Sequence, residues 1–170
     1  MTLQGMLTLD ELHRRVQTGE IETVLVMFTD HFGRFMGKRF DAEFFVEDVA
    51  QHGTHACNYL LTVDMEMEPV PGYRFANWER GYGDFHLLPD LSTLRVASWL
   101  AKSALVVCDV EDEASHRLTP VAPRTLLRKQ INQAAALGYT AKAASELEYY
   151  LFNNSYKDAA QRHYHDLEPV

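Results

Sequence analysis

The stretch ASELEYYLFN, residues 144–153, places two carboxylates, Glu146 and Glu148, two positions apart among mostly apolar residues. The β-branched, small and aromatic residues of this region predict a strand over residues 139–152. Side chains two positions apart on a strand point to the same face, where two like charges repel each other unless a cation is bound. Carboxylate oxygens suit Mg²⁺ and Mn²⁺, so the pair is a candidate metal site. From the spacing alone, a solvated acidic face is the commoner interpretation.

Three other polar groups could do chemistry, but exposed surface is the simpler interpretation of each. The groups are the acidic loop Asp64, Glu66 and Glu68, the histidines His163 and His165, and the basic hairpin residues Arg34, Lys38 and Arg39. Cys57 and Cys108 are isolated in the sequence, so neither a disulfide framework nor a zinc ribbon is indicated. We expect both cysteines to be apolar core residues.

Composition limits the class of protein. The chain has 170 residues, 46% of them hydrophobic and 24% charged, with a net charge of −8. This profile is typical of a globular protein, and the negative charge argues against a nucleic-acid interface. Its apolar runs fall far short of the roughly 20 residues that span a bilayer. We therefore expect a cytoplasmic protein that binds neither nucleic acid nor membranes.

The pattern along the chain predicts an α+β fold. Helices are predicted over 8–20, 41–53 and 123–138, and strands over 21–30, 34–40, 84–90, 92–99, 103–110 and 139–152, with a long loop over 57–83. The charged stretch EDEASHRLTP, residues 111–120, is the best boundary between domains. The predicted domains are residues 1–115 and an incomplete second domain, 116–170.

Several stretches together resemble the glutamine synthetase superfamily. In order, they are GYGDFHLLPDLSTLR, VVCDV, PRTLLRKQINQAAALGY and ASELEYYLF. The stretch TDHFGRFMGKRF is also similar to the family's early hairpin, with a D-x-x-G-x-x-x-G-K arrangement. The resemblance covers residues 22–153. It implies an N-terminal β-grasp domain followed by the first helix and strand of the catalytic α/β domain.

The resemblance also implies an activity and a site. Family members use ATP to phosphorylate the γ-carboxylate of glutamate, and an amine or ammonia then displaces the phosphate. Glu146 and Glu148 would bind two neighbouring divalent ions, Mg²⁺ or Mn²⁺. Asp84 matches an aspartate that the β-grasp domain presents to the active site of a neighbouring subunit in a homo-oligomeric ring, such as a dodecamer. A capping role at the start of a strand is the alternative for Asp84.

One segment of the sequence departs from the family pattern, and the difference bears on which amine is the substrate. Glutamine synthetases carry an F-D-G-S-S segment whose aspartate helps to bind and deprotonate ammonium, and the matching residues here are Phe75, Ala76 and Asn77. None of these three residues is acidic. The departure favours the branch that ligates glutamate to larger amines, such as polyamines, over glutamine synthesis.

A complete family member is more than twice as long as this chain. The resemblance therefore implies that the remaining metal ligands and the phosphate-binding arginines lie beyond Val170, and that residues 1–170 alone lack ligase activity. The alternative is a non-catalytic β-grasp module that binds a partner or a synthetase ring.

Overall fold

The computed structural model describes residues 5–170, and the chain divides into two compact units after Gly138. The larger unit contains a five-stranded sheet with helices, which confirms the predicted α+β class. Its strands are β1 (Thr23–Thr29), β2 (Phe35–Asp41), β3 (Thr54–Cys57), β4 (Asp84–Val96) and β5 (Ser103–Asp112). Its helices are α1 (Leu9–Gln17), α2 (Ala42–Phe44), the π-helical segment Phe45–Val49, α3 (Ala50–His52), the 3₁₀ helix Asn58–Leu61 and α4 (Pro123–Ala136).

The sheet is mixed, with the strand order β2-β1-β5-β4-β3. Strands β1 and β5 run parallel at its centre, and every other neighbouring pair is antiparallel. One face carries the main core, where alternate residues of β1 point inward and the Phe28 ring meets the Phe85 ring edge-on at 5.1 Å between centroids. The helices between β2 and β3 cover this face through Phe45 and Val49, which are fully buried.

The predicted hairpin forms between β1 and β2. Gly33, in the turn, has a φ of +78°, a conformation that favours glycine. Gly37, on β2, crosses so close to β1 that a Cβ atom there would lie 2.0 Å from the carbonyl oxygen of Val26. Both glycines of the D-x-x-G-x-x-x-G-K arrangement therefore have structural roles.

The predicted starts of the helices are confirmed, whereas α1 and α4 end a few residues earlier than predicted, at Gln17 and Ala136. The Thr8 hydroxyl accepts a hydrogen bond from the amide of Glu11 at 3.2 Å, and the Asp41 carboxylate accepts one from the amide of Phe44 at 3.1 Å. Pro123 occupies the first turn of α4, where its missing N–H costs no hydrogen bond.

The prediction of two separate strands over 84–90 and 92–99 is wrong, because β4 runs continuously through both. The pairing of β4 with β5 shifts register between Asp90 and Arg95. Across this irregularity the Thr93 hydroxyl donates to the carbonyl of Asp90 at 2.7 Å and accepts from the amide of Val107 at 2.9 Å. A β-bulge interrupts the backbone hydrogen bonding between two strands. Here the Thr93 side chain supplies a hydrogen bond to β5 in place of the one that is lost.

The smaller unit, residues 139–170, contains α5 (Tyr156–Gln161) and an isolated bridge between Phe152 and Pro169. The strand predicted over 139–152 is wrong: residues 139–151 are exposed and carry no strand pairing in the described structure. A strand requires neighbours for its amides and carbonyls, and among residues 139–151 only the Leu151 carbonyl has a described backbone partner, the amide of Val170 at 3.1 Å.

Across residues 5–170, no helix has both the length and the apolar character needed to cross a bilayer. The cytoplasmic location and the domain boundary near residue 115 stay predictions.

Candidate functional site

Residues 69–82, which we call the aromatic loop, surround an open pocket of about 510 Å³. Trp78 lines this pocket and is 81% exposed, so its ring is available to a ligand. It meets Tyr82 edge-on at 5.1 Å between ring centroids, and Tyr82 in turn packs against Tyr59 at 5.7 Å. Such rings can bind the apolar part of a small molecule and attract a cation to their faces.

Hydrogen bonds within the aromatic loop hold its shape. Asn77 donates from Nδ2 to the carbonyl of Tyr73 at 2.6 Å, and its Oδ1 accepts from the amide of Arg80 at 2.9 Å. The Arg80 guanidinium donates to the carbonyl of Arg74 at 2.6 Å. Both polar ends of the Asn77 side chain are therefore engaged within the loop.

One acidic residue of this pocket carries no recognisable signal in the sequence. Glu79 lies among the lining residues together with Arg74, Tyr73 and Trp78. Its place in the irregular stretch ANWERG gave no periodic signal, and only the folding of the loop brings it to the pocket.

Asp84 lies at the first position of β4, two residues after Tyr82, and is exposed. It stands opposite Cys57 on β3, and the Asn58 amide donates to the carbonyl of Gly83 at 2.9 Å beside it. Burial raises the pKa of the Cys57 thiol, and the hydrogen bond and negative charge of Asp84 raise it further. Within residues 5–170, no backbone amide donates to the Asp84 carboxylate, so the capping alternative gains no support.

Four charged residues join α4 to the sheet: Arg124 and Arg128 on the helix, and Asp90 and Asp109 on β4 and β5. Arg124 Nε lies 2.8 Å from Asp109 Oδ1, Arg128 Nη1 lies 2.6 Å from Asp109 Oδ2, and Arg124 also pairs with Asp90. In the sequence, Asp90 follows Pro89, a pair that is typical of a turn. Asp90 Oδ1 does accept from the amide and the hydroxyl of Ser92, at 3.1 and 2.6 Å, as in such a turn. Its other oxygen belongs to the ion network, in which both arginines are engaged by carboxylates.

Glu146 and Glu148 lie in the smaller unit, within the exposed segment that lacks strand pairing. The structure therefore places these carboxylates near each other along the chain without giving them a common strand face. Metal binding by the pair stays a prediction.

The weaker candidates are explained by their local structure. Arg34 bonds to Asp30, and Asp64 Oδ1 accepts from the amides of Glu66 and Glu68 at 3.0 and 2.9 Å, which forms a turn. The remaining candidates are exposed, as expected: Lys38, Arg39, His163 and His165. The core prediction holds for Cys108, which is buried, but not for Cys57, which is exposed.

Comparisons with known proteins agree on one family. The sequence profile of the glutamine synthetase catalytic domain matches residues 120–169. Gamma-glutamylethanolamide synthetase GlnA4 of Streptomyces coelicolor is 44% identical over 166 residues, which cover 96% of this chain and 35% of that protein. A glutamate–isopropylamine ligase of a Pseudomonas species is 37% identical over 155 residues, covering 91% of this chain and 34% of that protein.

A solved GmaS–ADP complex has a similar fold. It superposes with a TM-score of 0.55 at 25% sequence identity, over 74% of this chain and 26% of that chain. The chain spans about a third of the length of the curated relatives that it matches. The resemblance inferred from the sequence motifs is thus confirmed, and the chain is a relative of the glutamine synthetase superfamily.

Proposed function

We propose that this chain is part of an ATP-dependent ligase that joins the γ-carboxylate of glutamate to an amine through a γ-glutamyl phosphate. The observation that carries the proposal is the 44% identity with gamma-glutamylethanolamide synthetase over 96% of the chain. The second relative, the glutamate–isopropylamine ligase, is named for glutamate and a different primary amine. An amine larger than ammonia is therefore the favoured second substrate.

The aromatic loop supports this choice of amine. Its residues Phe75, Ala76 and Asn77 are uncharged where glutamine synthetases carry an ammonium-binding acid, and Asn77 is occupied within the loop. The exposed ring of Trp78 offers an apolar surface to an alkyl substituent and a π-face to an ammonium group. Asp84, at the start of β4, would supply negative charge near the loop.

Glu146 and Glu148 would hold the divalent ions that the reaction requires. Their oxygen donors suit Mg²⁺ or Mn²⁺, and both side chains are exposed. Neither carboxylate takes part in a hydrogen bond or an ion pair within residues 5–170. When bound, such ions hold the nucleotide phosphates and screen their charge. Two carboxylates leave most positions around an ion to other ligands, which the remainder of the ligase would supply.

We further infer that residues 1–115 form a β-grasp domain that contacts a neighbouring subunit in a ring. The central parallel pair β1 and β5, with antiparallel strands on both sides, is in keeping with this assignment. The sheet face opposite the main core carries a second apolar cluster around Leu25 and Leu105, and Trp99 nearby is 63% exposed. Leu25 and Leu105 are themselves buried, so the exposed Trp99 ring is the apolar group here that would be available to a subunit interface.

The test is an assay of the ligase encoded by the complete reading frame that contains this chain. ADP release is measured with ATP, glutamate and Mg²⁺ in the presence of ammonia, methylamine, isopropylamine, ethanolamine or putrescine. We expect ADP release that depends on both glutamate and a primary amine, with a higher kcat/KM for at least one alkylamine than for ammonia. Ammonia as the best substrate would contradict the amine assignment, and the absence of glutamate-dependent ADP release would contradict the ligase.

Variants test the roles of the named residues in the same assay. We expect Asp84→Asn to lower kcat/KM for the amine, and Glu146→Gln or Glu148→Gln to weaken the dependence of rate on Mg²⁺. Glu43→Gln, which alters an exposed glutamate on α2, is the matched control and should leave both parameters unchanged. The isolated chain of 170 residues should release no ADP under these conditions.

A further inference from the structure

A second cluster of metal-binding side chains lies on the sheet, apart from the aromatic loop. His55 on β3 stands directly opposite His86 on β4, and His86 stands directly opposite Glu111 on β5. Directly opposed residues of antiparallel strands share one face of the sheet, with Cβ atoms about 4.5–5.5 Å apart. His116 approaches the same row from the turn that follows β5, where its ring centroid lies 6.3 Å from that of His86. Three strands and a turn thus bring imidazole and carboxylate groups together.

The donor atoms of His86, Glu111 and His116 are close enough to share one ion. One ligand atom from each residue lies within 4.8 Å of the other two. Nδ1 of His86 and Oε2 of Glu111 are 3.4 Å apart. Tetrahedral zinc, with bonds of about 2.0–2.1 Å, places neighbouring donor atoms roughly 3.3–3.4 Å apart. This pair is therefore already at the separation that coordination requires.

The orientation of the His86 ring is set by a second contact. Its Nε2 lies 2.7 Å from the carbonyl oxygen of His52, which can only accept a hydrogen bond, so Nε2 carries the proton. In the neutral imidazole, the Nδ1 lone pair then faces Glu111 and is free to bind a cation. A ligating histidine commonly donates its other N–H to a carbonyl in this way.

Gly53 makes this contact possible. A Cβ atom at this position would lie 2.3 Å from Nε2 of His86, and the backbone has a φ of +70°. The end of α3 and the His86 ring therefore approach each other only because residue 53 lacks a side chain.

The turn that carries His116 is also well defined. The amide of Asp112 donates to the carbonyl of Arg117 at 2.8 Å, and His116 has a φ of +51°. His55 makes a separate contact, with its Nε2 2.9 Å from Glu113 Oε2, so the donor set consists of two imidazoles and one carboxylate.

We propose that His86, Glu111 and His116 bind one borderline transition-metal dication of the Zn²⁺ class, with solvent at the open position. Two imidazoles and one carboxylate suit Zn²⁺, Co²⁺ or Ni²⁺ and are a poor match for Mg²⁺, which prefers oxygen ligands. The bound ion would join the turn after β5 to β4. The site is independent of the proposed ligase and of Glu146 and Glu148.

The test is titration of the 170-residue chain with Co²⁺ and with Zn²⁺, each alone. We expect one ion per chain, a visible Co²⁺ absorption band that Zn²⁺ abolishes and Mg²⁺ does not, and a higher Tm with Zn²⁺. His116→Asn is the informative variant, because His116 is exposed and asparagine tolerates the left-handed conformation at this position. Loss of an outer-shell partner typically weakens metal binding by roughly 10–100-fold. Because His116 would be a direct ligand, we expect this variant to lose at least that much affinity.

Two matched variants keep the result specific. His13→Ala removes an exposed histidine of α1, and His163→Ala with His165→Ala removes the exposed pair near the C-terminal end of the described chain. Both should retain the Co²⁺ band and the stoichiometry. If His116→Asn, shown to be folded by circular dichroism, binds as tightly as the parent, or if the parent binds no ion, the cluster is only a histidine–glutamate pair and the proposal is overturned.

Discussion

The guanidinium of Arg34 lies against the buried carboxylate of Asp30, with Nε and Oδ2 2.6 Å apart. Its other two nitrogens donate to the carbonyls of Asp64 and Met65, each at 2.8 Å. One side chain thus neutralises a buried charge in the first hairpin and holds the loop that precedes the aromatic loop.

The first prediction concerns this contact. Arg34→Ala would leave the Asp30 charge buried without its guanidinium, and it would remove the hydrogen bonds to Asp64 and Met65. We expect the free energy of unfolding to fall by about 1.5–3 kcal/mol, the range for hydrogen bonds to a charged group. Urea denaturation measures the change. Arg39→Ala, at an exposed position of β2, is the control and should stay within about 0.5 kcal/mol of the parent. Equal losses in the two variants would contradict the role of Arg34.

The second prediction concerns the stability of the fold at low pH. Burial raises the pKa of Asp30, but the hydrogen bonds from the Arg34 side chain and from the amides of Arg34 and Phe32 outweigh it and lower the pKa below its usual value. Because the folded-state pKa lies below that of the unfolded chain, Asp30 stabilises the fold fully above the unfolded-state value of about 3.9. The stabilisation is lost as the pH falls through the folded-state pKa.

Urea denaturation at pH 7, 4 and 3 would measure this effect. We expect the parent to lose stability over this range by more than Asp30→Asn does, because the variant has no carboxylate to protonate. A parallel loss in both proteins would show that other carboxylates account for acid lability.

The third prediction compares two glycines of the hairpin. A side chain at Gly33 meets no atom within 4 Å, so Gly33→Ala carries only the cost of a positive φ, about 1–2 kcal/mol. At Gly37 a Cβ atom would lie 2.0 Å from the carbonyl oxygen of Val26, and β1 and β2 would have to separate. We expect Gly37→Ala to be clearly the more destabilising of the two in thermal denaturation, and the reverse order would contradict the close approach of the strands.

The fourth prediction concerns the cysteines. Cys108 is fully buried, and burial, followed by the nearby charge of Asp109, raises its pKa to about 12. Cys57 is exposed, with a pKa raised by burial of its sulfur and by Asp84. At pH 8 we expect Ellman's reagent to label one thiol of the folded chain, and the second only in urea.

Two variants assign these thiols. Cys57→Ser should abolish labelling of the folded chain. Asp84→Asn should speed it, since loss of the neighbouring charge lowers the pKa of Cys57. Unchanged kinetics in Asp84→Asn would mean that the carboxylate does not act on the thiol.

The fifth prediction concerns the exposed segment 139–151. Because its backbone has no strand pairing in the described structure, we expect trypsin to cut after Lys142 early in limited proteolysis, as judged by mass spectrometry. In the ligase from the complete reading frame, the same bond should resist trypsin if the segment becomes a paired strand that presents Glu146 and Glu148. Equal cleavage in both proteins would argue against such a strand.

Local sequence was sufficient for the features that depend on neighbouring residues. Thr8 and Asp41 cap their helices through hydrogen bonds that span three positions, and Pro123 begins α4 because its ring suits the first turn. The hairpin around Gly33 is equally local. The ordered motifs also sufficed to recognise the superfamily, because together they are far more specific than any one of them.

Tertiary structure decided whatever depends on residues far apart in the sequence. Thr93 can join β4 across its bulge only because Val107 lies opposite, and the sequence alone therefore predicted two strands instead of one. The row of His55, His86 and Glu111 arises from strand register over more than 50 positions, which no local spacing reveals. Residues 139–151 have the composition of a strand, but a strand forms only where another one supplies hydrogen-bond partners, and composition cannot specify that partner.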